Sequence, residues 1–197
     1  MGNIITIFIV LCLLVVFKLV DKFDLTKKHF SIIGVLSLVT SIFYLYEKEV
    51  SNMVTILIPI VFFILIYISI VDLFYQEIPD FAIILLLILS FPLTLSLLNG
   101  RMTMNNVVIL ISENVVYLGF FILVYLLTKG SLGFGDVKLS LPIGVLLTKV
   151  FFLKFVGIAF ILGGIYALYL LKFKERQEDE KIAFGPFMII AFFILYL

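Results

Sequence analysis

The feature that most constrains this chain is a succession of long apolar runs with little between them. They lie at about 3–19, 30–46, 53–73, 81–98, 105–127, 137–148, 151–171 and 183–197. Each is hydrophobic all round and none alternates with a period of two, so each reads as a helix and not as a barrel strand. A helix needs about 20 apolar residues to cross a bilayer, and eight of them use up nearly all of the 197 residues. The expectation is an all-α, polytopic transmembrane bundle of about eight spans, with residues 1–197 forming one integral membrane domain. Charged residues make up 14% of the chain, against roughly 25% in a soluble domain, which excludes a soluble globule. A net charge of +1 gives no general attraction to nucleic acid. One cysteine and one histidine exclude a disulfide framework and a recognisable zinc site.

The breaks between runs collect the charges, Asn99-Gly100, Ile78-Pro79-Asp80 and the glycine cluster at 130–135. The sixth run is short and carries Pro142, so its helix is expected to start inside the preceding loop or to run broken into the seventh. Orientation follows from the basic residues on alternate sides. One side collects Lys18, Lys22, Lys27, Lys28, Lys129, Lys138, Lys172, Lys174, Arg176 and Lys181, and the other Lys48, Arg101, Lys149 and Lys154. The richer side is assigned to the cytoplasm, which puts both termini outside. Tyr44, Tyr46, Tyr75, Tyr125, Tyr169 and Tyr196 fall near span ends, as interfacial aromatics do. No basic residue precedes the first span, so it is expected to be retained and not cleaved as a signal peptide. Met1-Gly2 with Thr6 fits a myristoylation pattern, but an outside N-terminus would not meet a cytosolic acyltransferase.

Ionisable groups at membrane depth cost several kcal/mol and need a reason; Asp72, Glu113 and Asp136 qualify. Asp72 sits in the last turn of the third run, where the negative end of the helix dipole disfavours an anion. Its plain alternative is a solvated interfacial aspartate. Asp136 follows Gly130-Ser131-Leu132-Gly133-Phe134-Gly135 and precedes the helical run Val137 to Leu147, where aspartate is a good N-cap. An N-cap alone does not require that glycine density, which lets backbone approach backbone, or a bound extended chain, unusually closely. The glycine order and the lack of a preceding strand argue against a phosphate-cradling loop.

By the topology above, Asp72 and Asp136 share the cytoplasmic side at comparable depth. Converging carboxylates cannot easily both ionise, so they share a proton; one acts as base toward a water while the other donates to a carbonyl. That is aspartic protease chemistry, and it uses no metal or cofactor. Other hydrolytic solutions lack parts, with no H-E-x-x-H, no paired cysteine and histidine and no G-x-S-x-G. His29 reads as a surface histidine and Cys12 as a core filler. Glu113 faces a water-filled recess, pairs with Arg101, or marks a second site. The stretch Lys172 to Lys181 reads as a solvated loop, and Gly157, Gly163 and Gly164 as close helix packing.

Three strings carry a resemblance: Asp72-Leu73-Phe74-Tyr75-Gln76-Glu77-Ile78-Pro79-Asp80, Gly133-Phe134-Gly135-Asp136-Val137-Lys138-Leu139 and Phe184-Gly185-Pro186-Phe187. In this order they resemble the type IV prepilin peptidases, GxGD-type intramembrane aspartyl proteases, from about residue 60 to the end. The resemblance implies Asp72 and Asp136 as the catalytic pair. It implies cleavage of the leader of a prepilin or pseudopilin precursor at the cytoplasmic face, just after a glycine and just before a hydrophobic helix. Gly133 and Gly135 would then let the substrate backbone lie near the pair. Asp80 reads as an N-cap for the fourth span, with a substrate-side role as the alternative. Lys138 reads as a headgroup anchor, with a charge partner near the pair as the alternative.

Many members of that family carry, between their first two spans, a large cytoplasmic loop with paired cysteines associated with methylating the new N-terminus. Here the link runs only from Asp21 to Phe30 and has no cysteine. The expectation is a peptidase without methyltransferase activity, comparable to archaeal preflagellin peptidases. The contrasting reading is a non-catalytic membrane protein, a transporter component or assembly scaffold, whose aspartates bind cations or cap helices.

Overall fold

The computed structural model describes residues 52–97, 104–129, 131–147, 152–173 and 182–196, with isolated helical positions at 35, 37 and 39–42. The described chain is all-α. Six helices follow in order: α1 (Asn52–Tyr75), α2 (Asp80–Leu97), α3 (Met104–Leu127), α4 (Phe134–Leu146), α5 (Phe152–Phe173) and α6 (Gly185–Tyr196). They match the third to eighth apolar runs within a few residues. The helical positions at 35–42 fall in the second run; the first run, the Asp21–Phe30 link and Arg101 lie outside the described residues.

Three segments are long and apolar enough to cross a membrane, Leu57–Tyr75, Leu110–Leu127 and Phe152–Lys172. The chain is thus a multi-pass membrane protein by helix length and composition, while eight full spans are not established. The sixth run departs most from a regular span. Its helix α4 has 13 residues, about 20 Å at 1.5 Å per residue, short of a hydrocarbon core of about 30 Å. It begins inside the glycine loop, one of the two starts the sequence allowed.

Helix ends follow local chemistry. α1 stops where Gln76 takes a left-handed backbone (φ 53) and its N–H donates to the Asp72 carbonyl at 2.8 Å, a left-handed C-terminal cap. Ile78 precedes Pro79, which disfavours helix there, and the Pro79 carbonyl accepts from Ala82 and Ile83 to open α2. Beyond the end of α3, Lys129 is likewise left-handed (φ 51). The Thr128 hydroxyl donates to Val124 O at 2.8 Å, and Ser131 Oγ donates to Thr128 O at 2.9 Å. The loop into α4 is therefore fixed by its own polar groups.

The helices pack in a ring. α3 lies on α4, α4 on α2, α2 on α1, α1 on α6 and α6 on α5. Aromatic pairs close the circle from α3 back to α5, among them Tyr117–Phe152, Phe121–Phe155 and Phe120–Phe160. Fully buried Phe62 of α1 meets Phe192, Phe193 and Tyr196 of α6 edge-on. A thinner contact between α4 and α6 crosses the ring, and beside it lies the cleft described next. Of the three glycines expected at close helix contacts, only Gly163 fits, since a methyl there would lie 3.0 Å from the Phe184 ring. Gly157 and Gly164 have nothing within 4 Å of that position among the described residues, so no described helix accounts for either.

Candidate active site

A cleft of about 560 Å³ opens where the end of α1, the start of α4 and the entry to α6 meet. Its lining comes from Asp72 and 76–80, from the glycine loop and first turn of α4, and from Ile182, Ala183 and Phe184. The three strings singled out in the sequence thus converge on one depression. No group of three or more His, Cys, Asp or Glu that could hold a metal occurs among the described residues.

Asp72 and Asp136 both line the cleft and are each only 4% exposed. They are near enough for Asp136 to feel the charge of Asp72. Asp72 is therefore no solvated interfacial aspartate. Its position at the unfavourable end of α1 finds a compensation from another element: its Oδ2 accepts the backbone N–H of Gly185 at 2.9 Å. Gly185 begins α6, so the carboxylate sits at the positive end of that helix dipole.

Asp136 is not the N-cap of α4. That position is taken by Gly133 (φ −64, ψ 140), whose carbonyl accepts the Asp136 N–H at 3.1 Å. Asp136 stands in the first helical turn and leans back over Gly133, where a methyl would lie 3.1 Å from its Oδ2. Its Oδ1 is buried with no hydrogen-bond partner among the described residues.

The two glycines of the loop have different surroundings. Gly133 is exposed beside Asp136 in the cleft. Gly135 is pressed against the chain itself: a methyl there would lie 3.1 Å from Ile78 Cβ and 3.2 Å from its Cγ1. Its Cβ direction thus faces the early motif, while the residue itself also lines the cleft. Ile78 also reaches the third motif, because a methyl at Gly185 would lie 3.2 Å from Ile78 Cδ1 and 2.7 Å from Asp72 Oδ2.

Asp80 is the first residue of α2, one position inside the Pro79 carbonyl that caps it; its expected N-cap role goes to Pro79. Lys138 is 2.7 Å from Asp80 Oδ1 and lies over the Phe134 ring, 5.3 Å from its centroid. Lys138 thus pairs with Asp80, and the ion pair ties α2 to α4 at the rim. Glu113 lies away from the cleft, half-buried on α3 and interacting with buried Tyr117 one turn on.

Sequence reasoning missed Ile78 and the Gly185 amide. In the sequence Ile78 marks only a break before a proline. A glycine followed by proline at the start of an apolar run does signal a helix N-terminus, and free amides there bind anions, but which anion they meet is a tertiary fact.

Comparison with known families decides the kinship. The sequence pattern of the type IV leader peptidase family matches residues 59–168, more than half of the chain. The chain belongs to that family. The match spans both aspartates, Gly133, Gly135, Asp80 and Lys138, and the family is one of aspartic peptidases. No curated protein and no solved structure matches the chain.

Proposed function

We propose that this chain is an intramembrane aspartic endopeptidase that removes the leader of prepilin-like or pseudopilin-like precursors at the cytoplasmic face of the cell membrane. The observation that carries the reading is a pair of aspartates from separate helices, both buried and both lining one cleft, in a member of the type IV leader peptidase family. Buried carboxylates in an apolar bundle need a compensating role, and membership in the family supplies one.

In this reading a water between Asp72 and Asp136 is deprotonated by one carboxylate and attacks the scissile carbonyl. The other carboxyl gives its proton to the carbonyl oxygen. Burial keeps the pair from bulk water, so the shared proton stays where it is used. Gly133, Gly135, Asp80 and Lys138 are assigned to the substrate side as framework. Gly133 leaves room beside Asp136, Gly135 seats the loop against Ile78, and the Asp80–Lys138 pair fixes the rim. The basic residues clustered at Lys129 and Lys138 favour a cytoplasmic cleft, where a substrate helix leaves the bilayer. The short, cysteine-free link from Asp21 to Phe30 favours a peptidase without the methylating activity.

Coexpression of a prepilin with Asp72→Asn and with Asp136→Asn tests the proposal. Each substitution is expected to reduce leader removal by at least about 100-fold, as loss of acid–base participation does, while the protein still reaches the membrane. The readout is the gel mobility of the pilin. Undiminished cleavage by both variants would sink the reading, and a precursor never shortened by the wild type would favour a non-catalytic protein.

A further inference from the structure

The mechanism above leaves open which aspartate is the base. We infer that the backbone amide of Gly185 holds Asp72 as the ionised member of the pair, so that Asp72 is the base and Asp136 carries the proton. The inference rests on the peptidase reading of the cleft and assigns roles within it.

The hydrogen-bond inventory separates the two carboxyls. Asp72 Oδ2 accepts the Gly185 N–H at 2.9 Å, a buried bond from the first residue of α6. Hydrogen bonds to an ionised acceptor are about twice as strong as neutral ones, and bonding to the charged form favours that form. The Asp136 carboxyl has the Gly133 amide near it, but its Oδ1 is buried with no donor among the described residues. An ionised oxygen is costly in that position, and a protonated carboxyl much less so. Both side chains lie at a helix N-terminus, but Asp72 also lies at the negative end of α1, an effect that the Gly185 bond has to outweigh.

The glycine is needed for the contact. A methyl at 185 would lie 2.7 Å from Asp72 Oδ2, and the carboxylate would have to leave the amide to make room. Gly185 is thus a positioning residue, acting through Asp72.

The assignment fixes the direction of each proton. Asp72 takes a proton from the water as its oxygen bonds to the scissile carbon. The carbonyl π pair moves onto oxygen, which takes the proton of Asp136. In collapse, one hydroxyl of the gem-diol returns its proton to Asp136 and the C–N bond breaks. The leaving nitrogen takes the proton held by Asp72, and both residues end as they began. Among the described residues, the other titratable groups lining the cleft are Glu77, Asp80 and Lys138, the last two paired with each other. The α6 entry at 182–184 adds none.

The test is the pH profile of prepilin cleavage by purified wild type and Gly185→Ala. The acid limb reports the first ionisation of the pair and the alkaline limb the loss of its last proton. Gly185→Ala is expected to move the acid limb upward by about one pH unit, the size of a lost hydrogen bond to a charged group. The alkaline limb should stay in place, because Asp72 is charged on both sides of that step. A shift of the alkaline limb instead would reverse the assignment. A uniformly slower profile with neither limb moved would make Gly185 merely structural and overturn it as well. If Gly185→Ala does not fold, a backbone ester at 185, made by semisynthesis, removes the N–H without adding a carbon and must give the same acid-limb shift. Absence of cleavage by the wild type at every pH would bring down the peptidase reading itself.

Discussion

Ile78 occupies the point where the three motif strings of this chain meet, a side chain wedged between Gly135 and Gly185 and beside Asp72. Its neighbours leave no space for a further methyl at either glycine. Gly135→Ala is therefore expected to cost about 1–3 kcal/mol of stability by overpacking. Combining it with Ile78→Ala should recover part of that loss, giving a coupling energy measurable by a double-mutant cycle of thermal unfolding in detergent. Strict additivity of the two changes would show that the contact is not the reason for the glycine. At this scale the sequence exposed the aspartates, because a charge in an apolar run stands out by its cost. It concealed Ile78 and the Gly185 amide, because an isoleucine among apolar residues and a backbone N–H carry no such mark.

Among the elements, the helices at 52–75 and 80–97 match their apolar runs closely because the break between them is dictated locally by a proline and a left-handed cap. α4 was harder to read. Its 13 residues include Pro142, and it is held at its far end by a side chain from α2: the buried Thr94 hydroxyl donates to Val145 O at 3.0 Å. That carbonyl is among the last four of the helix, which have no intrahelical acceptor role to fall back on. Thr94→Val keeps the shape and removes the donor, and is expected to lower stability by about 1–3 kcal/mol as a buried carbonyl loses its partner. Thr94→Ser should restore most of it in the same unfolding assay. Equal stability of Thr94→Val and wild type would remove this bond from the account of how α4 is anchored. The Asp80–Lys138 pair, exposed at the rim, belongs to a weaker class of tie, typically worth under about 1 kcal/mol.

For the whole molecule, the ring of helices brings α1, α4 and α6 together so that one end of the bundle carries the cleft, Lys129 and Lys138. In the proposed orientation, argued from the basic asymmetry of the loops, that end faces the cytoplasm. In a Cys12→Ser background, a cysteine at Lys129 should react with an impermeant maleimide only after the membrane is opened, and labelling of intact cells would invert the topology. The sequence by itself determined that the chain is helical and membrane-embedded, where six of its helices lie to within a few residues, and that Asp72, Glu113 and Asp136 are carboxylates out of place. Those are consequences of local composition, of hydrophobic length and of the cost of a buried charge. Only the tertiary structure decided that the late Phe184-Gly185-Pro186-Phe187 string serves Asp72, that Gly135 faces Ile78, and that Lys138 is spent on Asp80. Each of these depends on where a distant helix end lies, and all-round apolar helices carry no periodicity from which their neighbours can be read.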